Sequence, residues 1–336
     1  MNKFHVYGLG AALVDTEIEV SDAELKQHGI EKGLMTLVDE DRQNQLLGAF
    51  SDHLTVSRRA SGGSAANSII AVSSFGGESY YSCKVADDDN GQFYLADMTA
   101  AGVGHNGEHN LPTGVTGKCL VLITPDAERT MNTFLGISET LCPQNLNSDA
   151  LAASEYLYVE GYLATSPTGQ QAAIEARIKA QQHDTKIALS LSDPGIVAHF
   201  REQLLAMMGG SIDLLFCNRD EALDWTGTDN IELAAKAMMD YASTFAITLG
   251  ADGALIYDGD QLHRVASSTV VAIDTNGAGD MFAGAFLYGI THGFDYARAG
   301  AFANAAAAQV VQQYGPRLPA QGYRDVLQNF IAARLR

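Results

Sequence analysis

The segment DTNGAGD, Asp274–Asp280, sets two glycines and an alanine between acidic residues, directly ahead of the apolar run MFAGAFLYGI. Gly277, Ala278 and Gly279 carry so little side chain that backbone N–H groups can come against a ligand, and the helix they open adds the positive end of its dipole. That is a hole for an anion. Asp280 falls in the first turn, within reach of a hydroxyl presented to the same hole, where its carboxylate can take the proton as a phosphoryl group arrives. The residues also fit an ordinary helix start, with Asn276 as cap and Asp280 complementing the dipole. The flanking glycines favour the anion hole, because a cap has no need for so little side chain.

A second glycine pair lies in GGSAAN, Gly62–Asn67, before the amphipathic run SIIAVSSFG. Gly63 lets the backbone approach a ligand, and Asn67 offers donors and an acceptor to vicinal hydroxyls. By itself such a pair is as often a turn. Asp15, in GLGAALVD, is a carboxylate able to hold two hydroxyls of a polyol, although taken alone a structural role suits it better. Gly8–Leu9–Gly10 does not make a dinucleotide site: the third glycine is missing, and Asp15 comes well before the acid expected about 20 residues on.

These residues need rigid elements behind them. Short apolar runs alternating with helical patterns predict βαβ units and a doubly wound, mainly parallel α/β sheet flanked by helices. Strands are expected near Lys3–Leu9, Tyr80–Val85, Tyr156–Val159, Lys186–Leu191, Leu214–Cys217 and Phe245–Leu249. Helices are expected near Ser64–Ser74, Gly91–Ala101, Thr168–Gln181, Gly195–Met208, Ile231–Tyr241, Gly277–His292, Asp295–Gln313 and Gly322–Ala333. Two insertions break the alternation: Thr16–Ser61, with β-like pieces and one helix, and the hairpin Gly117–Leu135. They are expected to form a small β lid over the site, within one domain spanning residues 1–336. The edge strands of such a lid need cover, which a homodimer through the lid would supply.

With 46% hydrophobic and 18% charged residues, the 336-residue chain has material for a large core. A formal net charge of −19 repels polyanions, so nucleic acid is not an expected partner, and phosphate must be bound locally by backbone N–H groups and a divalent cation. No run approaches the roughly 18 apolar residues of a membrane span. Cys83, Cys119, Cys142 and Cys217 are scattered without a CxxC pair, and MNKFHVYGLG is no signal peptide, so a reduced, cytoplasmic protein is expected.

GGSAANSIIAVSSFGG and DTNGAGDMFAGAFLYG resemble the two signature regions of the PfkB, or ribokinase-like, carbohydrate kinases, and the likeness runs from the first strand to Pro319. The resemblance implies an ATP-dependent kinase that transfers the γ-phosphoryl group to a hydroxyl of a sugar or of a nucleoside's ribose. It makes Asp280 the base and Gly277, Ala278 and Gly279 the anion hole. Asp15, Gly63, Ser64, Asn67 and Glu160 match acceptor-binding positions. Asn218 and Glu221, in NRDE, match a motif that organises Mg²⁺ and phosphates through water, although an N-cap with a capping box reads equally well there. Thr248, Gly250 and Gly253, in TLGADG, match the nucleotide loop, and Asn304 a position beside the adenine. Asp274 and Asn276 match a monovalent-cation loop, which implies K⁺. Ser64 replaces the lysine of the ribokinase GGKGAN pattern, and the lid sequence ERTMNTFLG is similar to the adenosine kinase branch. The alternative is a catalytically silent sugar- or nucleoside-binding relative acting as sensor or scaffold, disfavoured because a binding protein needs no base.

Overall fold

The computed structural model describes residues 3–51, 58–107 and 111–333. Among them the main sheet has nine strands, in the order Leu262–Val265, Ala254–Tyr257, Ala242–Thr248, Ile212–Asn218, Lys186–Ser190, Ser154–Glu160, Phe4–Leu9, Ser79–Ser82 and Val103–His105. From Ala242–Thr248 onward the strands pair in parallel, and the first two form an antiparallel hairpin on that edge. The parallel strands are near-continuous apolar runs, as a sheet covered on both faces requires: Tyr156, Leu157, Tyr158 and Val159 are all buried.

One face is covered by helices Ser64–Ser74, Ala278–Thr291, Tyr296–Val310 and Ala320–Ala332, around Ile69, Phe282, Phe286 and Phe302. The other is covered by Pro167–Gln182, Arg201–Met208, Arg219–Thr226 and Ile231–Met238, around Ala176, Leu204, Trp225 and Ala235. Strand order reverses between Phe4–Leu9 and Ser154–Glu160. In open α/β sheets the crevice past the carboxyl ends at such a reversal is where ligands sit.

A smaller sheet has the order Met35–Leu37, Arg129–Phe134, Gly117–Ile123, Leu13–Glu19, Arg58–Gly62. Its period-two pattern divides two faces. Ile18, Leu120 and Leu122 pack with Leu25, Leu46 and Phe50 from helices Asp22–Gln27 and Glu40–Ala49 and their ends, while Leu13, Cys119, Val121 and Met131 cluster on the opposite face.

Each of the six expected strands has a counterpart within a few residues. Three differences matter. The helix expected over Gly195–Met208 is two, Pro194–His199 and Arg201–Met208, because Phe200 leaves helical geometry at φ −126°. The first insertion holds two helices rather than one, and its strands reach from Leu13 to Gly62, so Asp15 belongs to the smaller sheet instead of lying beneath it; residues 52–57 of that insertion lie outside those described. Strands Val103–His105, Ala254–Tyr257 and Leu262–Val265 were not expected, being too short to show a period, and a helix, Arg219–Thr226, does follow the capping box at Asn218 and Glu221.

Candidate active site

A cavity of about 290 Å³ opens between the strand ends of the main sheet and the apolar face of the smaller one. Two helices meet at its floor because of one glycine. A Cβ on Gly284 would lie 2.4 Å from the Ser68 carbonyl, so only glycine lets helix Ala278–Thr291 cross Ser64–Ser74 this closely. The crossing brings Ser64 and Asn67 to Asp280: the Ser64 hydroxyl donates to Oδ1 at 2.6 Å and the Asn67 amide to Oδ2 at 3.0 Å. Burial raises the pKa of Asp280, opposed by these two bonds and by the positive charge of Arg129. Asn67 also lines the cavity with a buried Oδ1 that has no protein partner, an acceptor left for a ligand hydroxyl.

The glycines around this centre are close-approach residues. A Cβ on Gly62 would strike the Asp15 carboxylate at 2.1 Å, and Gly63, at φ 97°, turns the chain into the helix with no room beside the Ala11 carbonyl. Gly277 starts its helix in the left-handed region at φ 74°, whereas Gly279 is exposed and a Cβ there would meet only open space. The N–H groups of Gly279 and Asp280 lie in a first turn that offers them no helical acceptor, at the edge of the cavity. An anion placed there meets unpaired donors and the helix dipole together.

Asp15 is buried on the cavity wall, its pKa raised well above the usual carboxylate range by burial and then by Glu17, with Arg317 opposing. Glu160 also borders the cavity, but its oxygens already accept from the N–H groups of Ala11 at 2.6 Å and Ala65 at 2.8 Å. Burial, only partly offset by those bonds, pushes it up to about 7. Its visible work is to tie the loop after the first strand to the start of helix Ser64–Ser74, and Gly10 is glycine because a Cβ would meet that carboxylate at 2.6 Å.

At the next strand end, Asn218 and Glu221 show the capping box that was one of the two readings given to them. They form a full capping box, with Asn218 Oδ1 accepting from the Glu221 N–H at 2.8 Å and Glu221 Oε2 from the Asn218 N–H at 3.0 Å, and both line the cavity. Burial pushes Glu221 up to about 8, helped by Asp193 and opposed by Arg129. Thr248 lines the same wall. Gly250 and Gly253 instead shape the turn beyond it, at φ 59° and 89°, and Asn304 donates to the carbonyls of Val265 at 3.0 Å and Ala266 at 3.3 Å; none of the three borders the cavity. Asp274 is fully buried and accepts from the N–H groups of Asn276 at 2.8 Å and Gly315 at 2.9 Å, so it shapes the loop ahead of the anion turn.

Arg129 had not been singled out. It projects from strand Arg129–Phe134 into the cavity, and its charge acts on Asp280, Asp193, Glu221 and Asp274. The available signal was the hairpin itself: an arginine opening a strand whose next residue on the same face is Met131 has a reason to be there. Tyr162 and Asp193 were missed for want of any local pattern.

A helix first turn with free N–H donors, an adjacent carboxylate and a strand-end cavity at a topological switch point fit an α/β phosphotransferase of ribokinase-like fold. The model of the pfkB family carbohydrate kinases matches residues 52–321, and the chain belongs to that family. It is 27% identical to an adenosine kinase of Saccharomyces cerevisiae, covering 93% of this chain and 96% of that protein, and 27% identical to an ATP-dependent ribose-1-phosphate kinase of Halopiger xanaduensis, covering 77% and 83%. The solved structure of adenosine kinase from Sinorhizobium meliloti superposes with a TM-score of 0.92 at 34% identity, over 97% of this chain and 99% of that one. A probable sugar kinase from Rhizobium etli gives 0.91 at 33%, over 98% and 99%. The protein is therefore a kinase that uses ATP to phosphorylate a hydroxyl of a sugar or nucleoside. Among the described residues no helix is long and apolar enough to cross a membrane.

Proposed function

We propose that the acceptor is a purine nucleoside, phosphorylated on its ribose. The observation behind this is the cavity's mixed lining: Asp15, Ser64, Asn67 and Asp280 gather as a polar part, and Leu13, Met35, Leu37, Cys119 and Met131 of the smaller sheet supply an apolar part beside Thr133 and Arg129. A polyhydroxyl ring suits the first part and a flat base the second, whereas a free sugar would leave the second facing only water. Resemblance to adenosine kinases supports the same reading.

In this reading Asp15 and the free Oδ1 of Asn67 hold ribose hydroxyls, and Asp280 takes the proton of the attacking one. Ser64 and Asn67 keep that carboxylate aimed. The first-turn N–H groups and Arg129 stabilise charge on the transferring phosphoryl group. The smaller sheet serves as a lid that excludes water.

The oxygen-rich strand end at Glu221 suits Mg²⁺, which would travel with the nucleotide phosphates. Both Glu221 oxygens are engaged by Asn218, so contact through water fits better than direct ligation. Asp274, Asn276 and the carbonyls of their loop have the chemistry of a K⁺ site, to be checked by comparing activity in K⁺ and Na⁺. Residence in a reducing cytoplasm accords with four unbonded cysteines, and a homodimer through the lid would cover its outer strands. Turnover of a panel of nucleosides and free sugars with ATP and Mg²⁺ tests the central proposal: purine nucleosides should give the highest kcat/KM, and preference for a free sugar would refute it.

A further inference from the structure

The strand that carries Asp15 also carries Glu17, two residues on and therefore on the same face. Glu17 is 8% exposed, and its Oε1 accepts a 2.9 Å hydrogen bond from Nδ2 of Asn276. Asn276 is held in turn through its own N–H, which donates to Asp274, and the next residue is Gly277, the left-handed start of helix Ala278–Thr291. A second bond joins the same two bodies: the Thr275 hydroxyl donates to the Ala127 carbonyl at 3.0 Å, in the turn between strands Gly117–Ile123 and Arg129–Phe134. The loop that launches the anion-binding turn is thus bonded to the smaller sheet at two points. The strand providing one of them reaches the acceptor wall through Asp15.

We infer that Glu17 is a positioning residue, which ties the smaller sheet to Asn276 so that the grip of Asp15 on the acceptor and the geometry of the first helical turn are set together. Without the tie, the cavity keeps Asp15, Asn67 and its apolar residues, so the acceptor still binds. What it loses is the placement of the Gly279 N–H and the Asp280 carboxylate relative to that acceptor. Such a fault falls on turnover rather than on affinity, and a displacement of about 1 Å can cost roughly 10²-fold in rate.

The inference rests on the role given to Asp280 and its turn, so the parent enzyme is first shown to turn over one acceptor; the tie can then fail by itself. Glu17→Ala should lower kcat by roughly 10- to 10²-fold while acceptor KM changes by less than about threefold. Glu17→Gln, whose amide oxygen still accepts from Asn276, should recover most of the loss. Asn276→Ala should resemble Glu17→Ala, and the double variant should be no slower than the slower single one, because both break the same bond. Parental kcat in Glu17→Ala, a raised acceptor KM as its main defect, or additive losses in the double variant would each overturn the inference. If Glu17→Ala does not fold, Glu17→Gln decides: near-parental kcat supports the tie, and a loss as deep as that of Asn276→Ala refutes it.

Discussion

Replacing Ser64 by alanine should move the acid limb of the pH–rate profile upward. Asp280 as base works deprotonated; burial raises its pKa, and the Ser64 hydroxyl at 2.6 Å is the foremost contact pulling it back. A hydrogen bond to a charged group contributes about 1.5–3 kcal/mol, and one pH unit corresponds to about 1.4 kcal/mol. Removing the donor should therefore shift the limb of kcat/KM to higher pH by roughly one to two units, with water filling the gap giving the lower figure. The sign follows from which form is stabilised: Ser64 favours the charged carboxylate, so without it the proton is held to higher pH and activity fades sooner as pH falls. Alanine is a good helix former, so the first position of helix Ser64–Ser74 is not compromised; the alkaline plateau should drop by what the looser aim of Asp280 costs, and the limb should move upward independently of that drop. The measurement is kcat/KM across pH for parent and variant at saturating ATP. Glu160 and Glu221, at about 7 and about 8, also titrate in this range, but their bonds come from Ala11, Ala65 and Asn218 rather than Ser64. A limb that stays put, or moves to lower pH, would show that the titrating group is not Asp280.

Asp280→Asn should lower kcat by roughly 10²- to 10⁴-fold while nucleotide affinity, read by calorimetry, stays near parental. Asp15→Ala should act mainly as a rise in acceptor KM, and a rise in the KM for ATP in its place would mean the two halves of the site are assigned the wrong way round. Arg129→Met should cost roughly 10²-fold in kcat in steady-state assays, as loss of a donor to developing charge does, whereas an unchanged kcat would remove Arg129 from the transition state.

The doubly wound core was legible because its strands are apolar on both faces and its helices long enough to show a period. The centre of the site was legible for a related reason: glycines next to Asp280 and before Asn67 are local signals of close approach. Arg129, Tyr162 and Glu17 were not, since each matters through a partner far along the chain; Glu17 meets Asn276 across 259 positions. Glu160 marks the opposite limit. Its match to an acceptor-binding position of the family pointed to the ligand, but nothing local revealed that the N–H groups of Ala11 and Ala65 would occupy both oxygens.

The electrostatics of the cavity follow from the same arrangement. Asp15, Glu160, Glu221 and Asp280 border it, burial raises the pKa of each, and the whole chain carries a formal net charge of −19. A polyphosphate approaching that wall is repelled. Arg317 gives limited relief, because its guanidinium is already bonded to Asp97 at 2.9 Å and to the Ser61 carbonyl at 2.6 Å. Arg129 stands on the smaller sheet, so its distance from the phosphates depends on where that sheet lies. Positive potential at the site therefore has two sources, the first turn of helix Ala278–Thr291 and Arg129 on the smaller sheet. Under the proposed function, with the smaller sheet serving as a lid, such a site favours transfer to a bound acceptor over transfer to water, which cannot engage Asp15 and the apolar residues together.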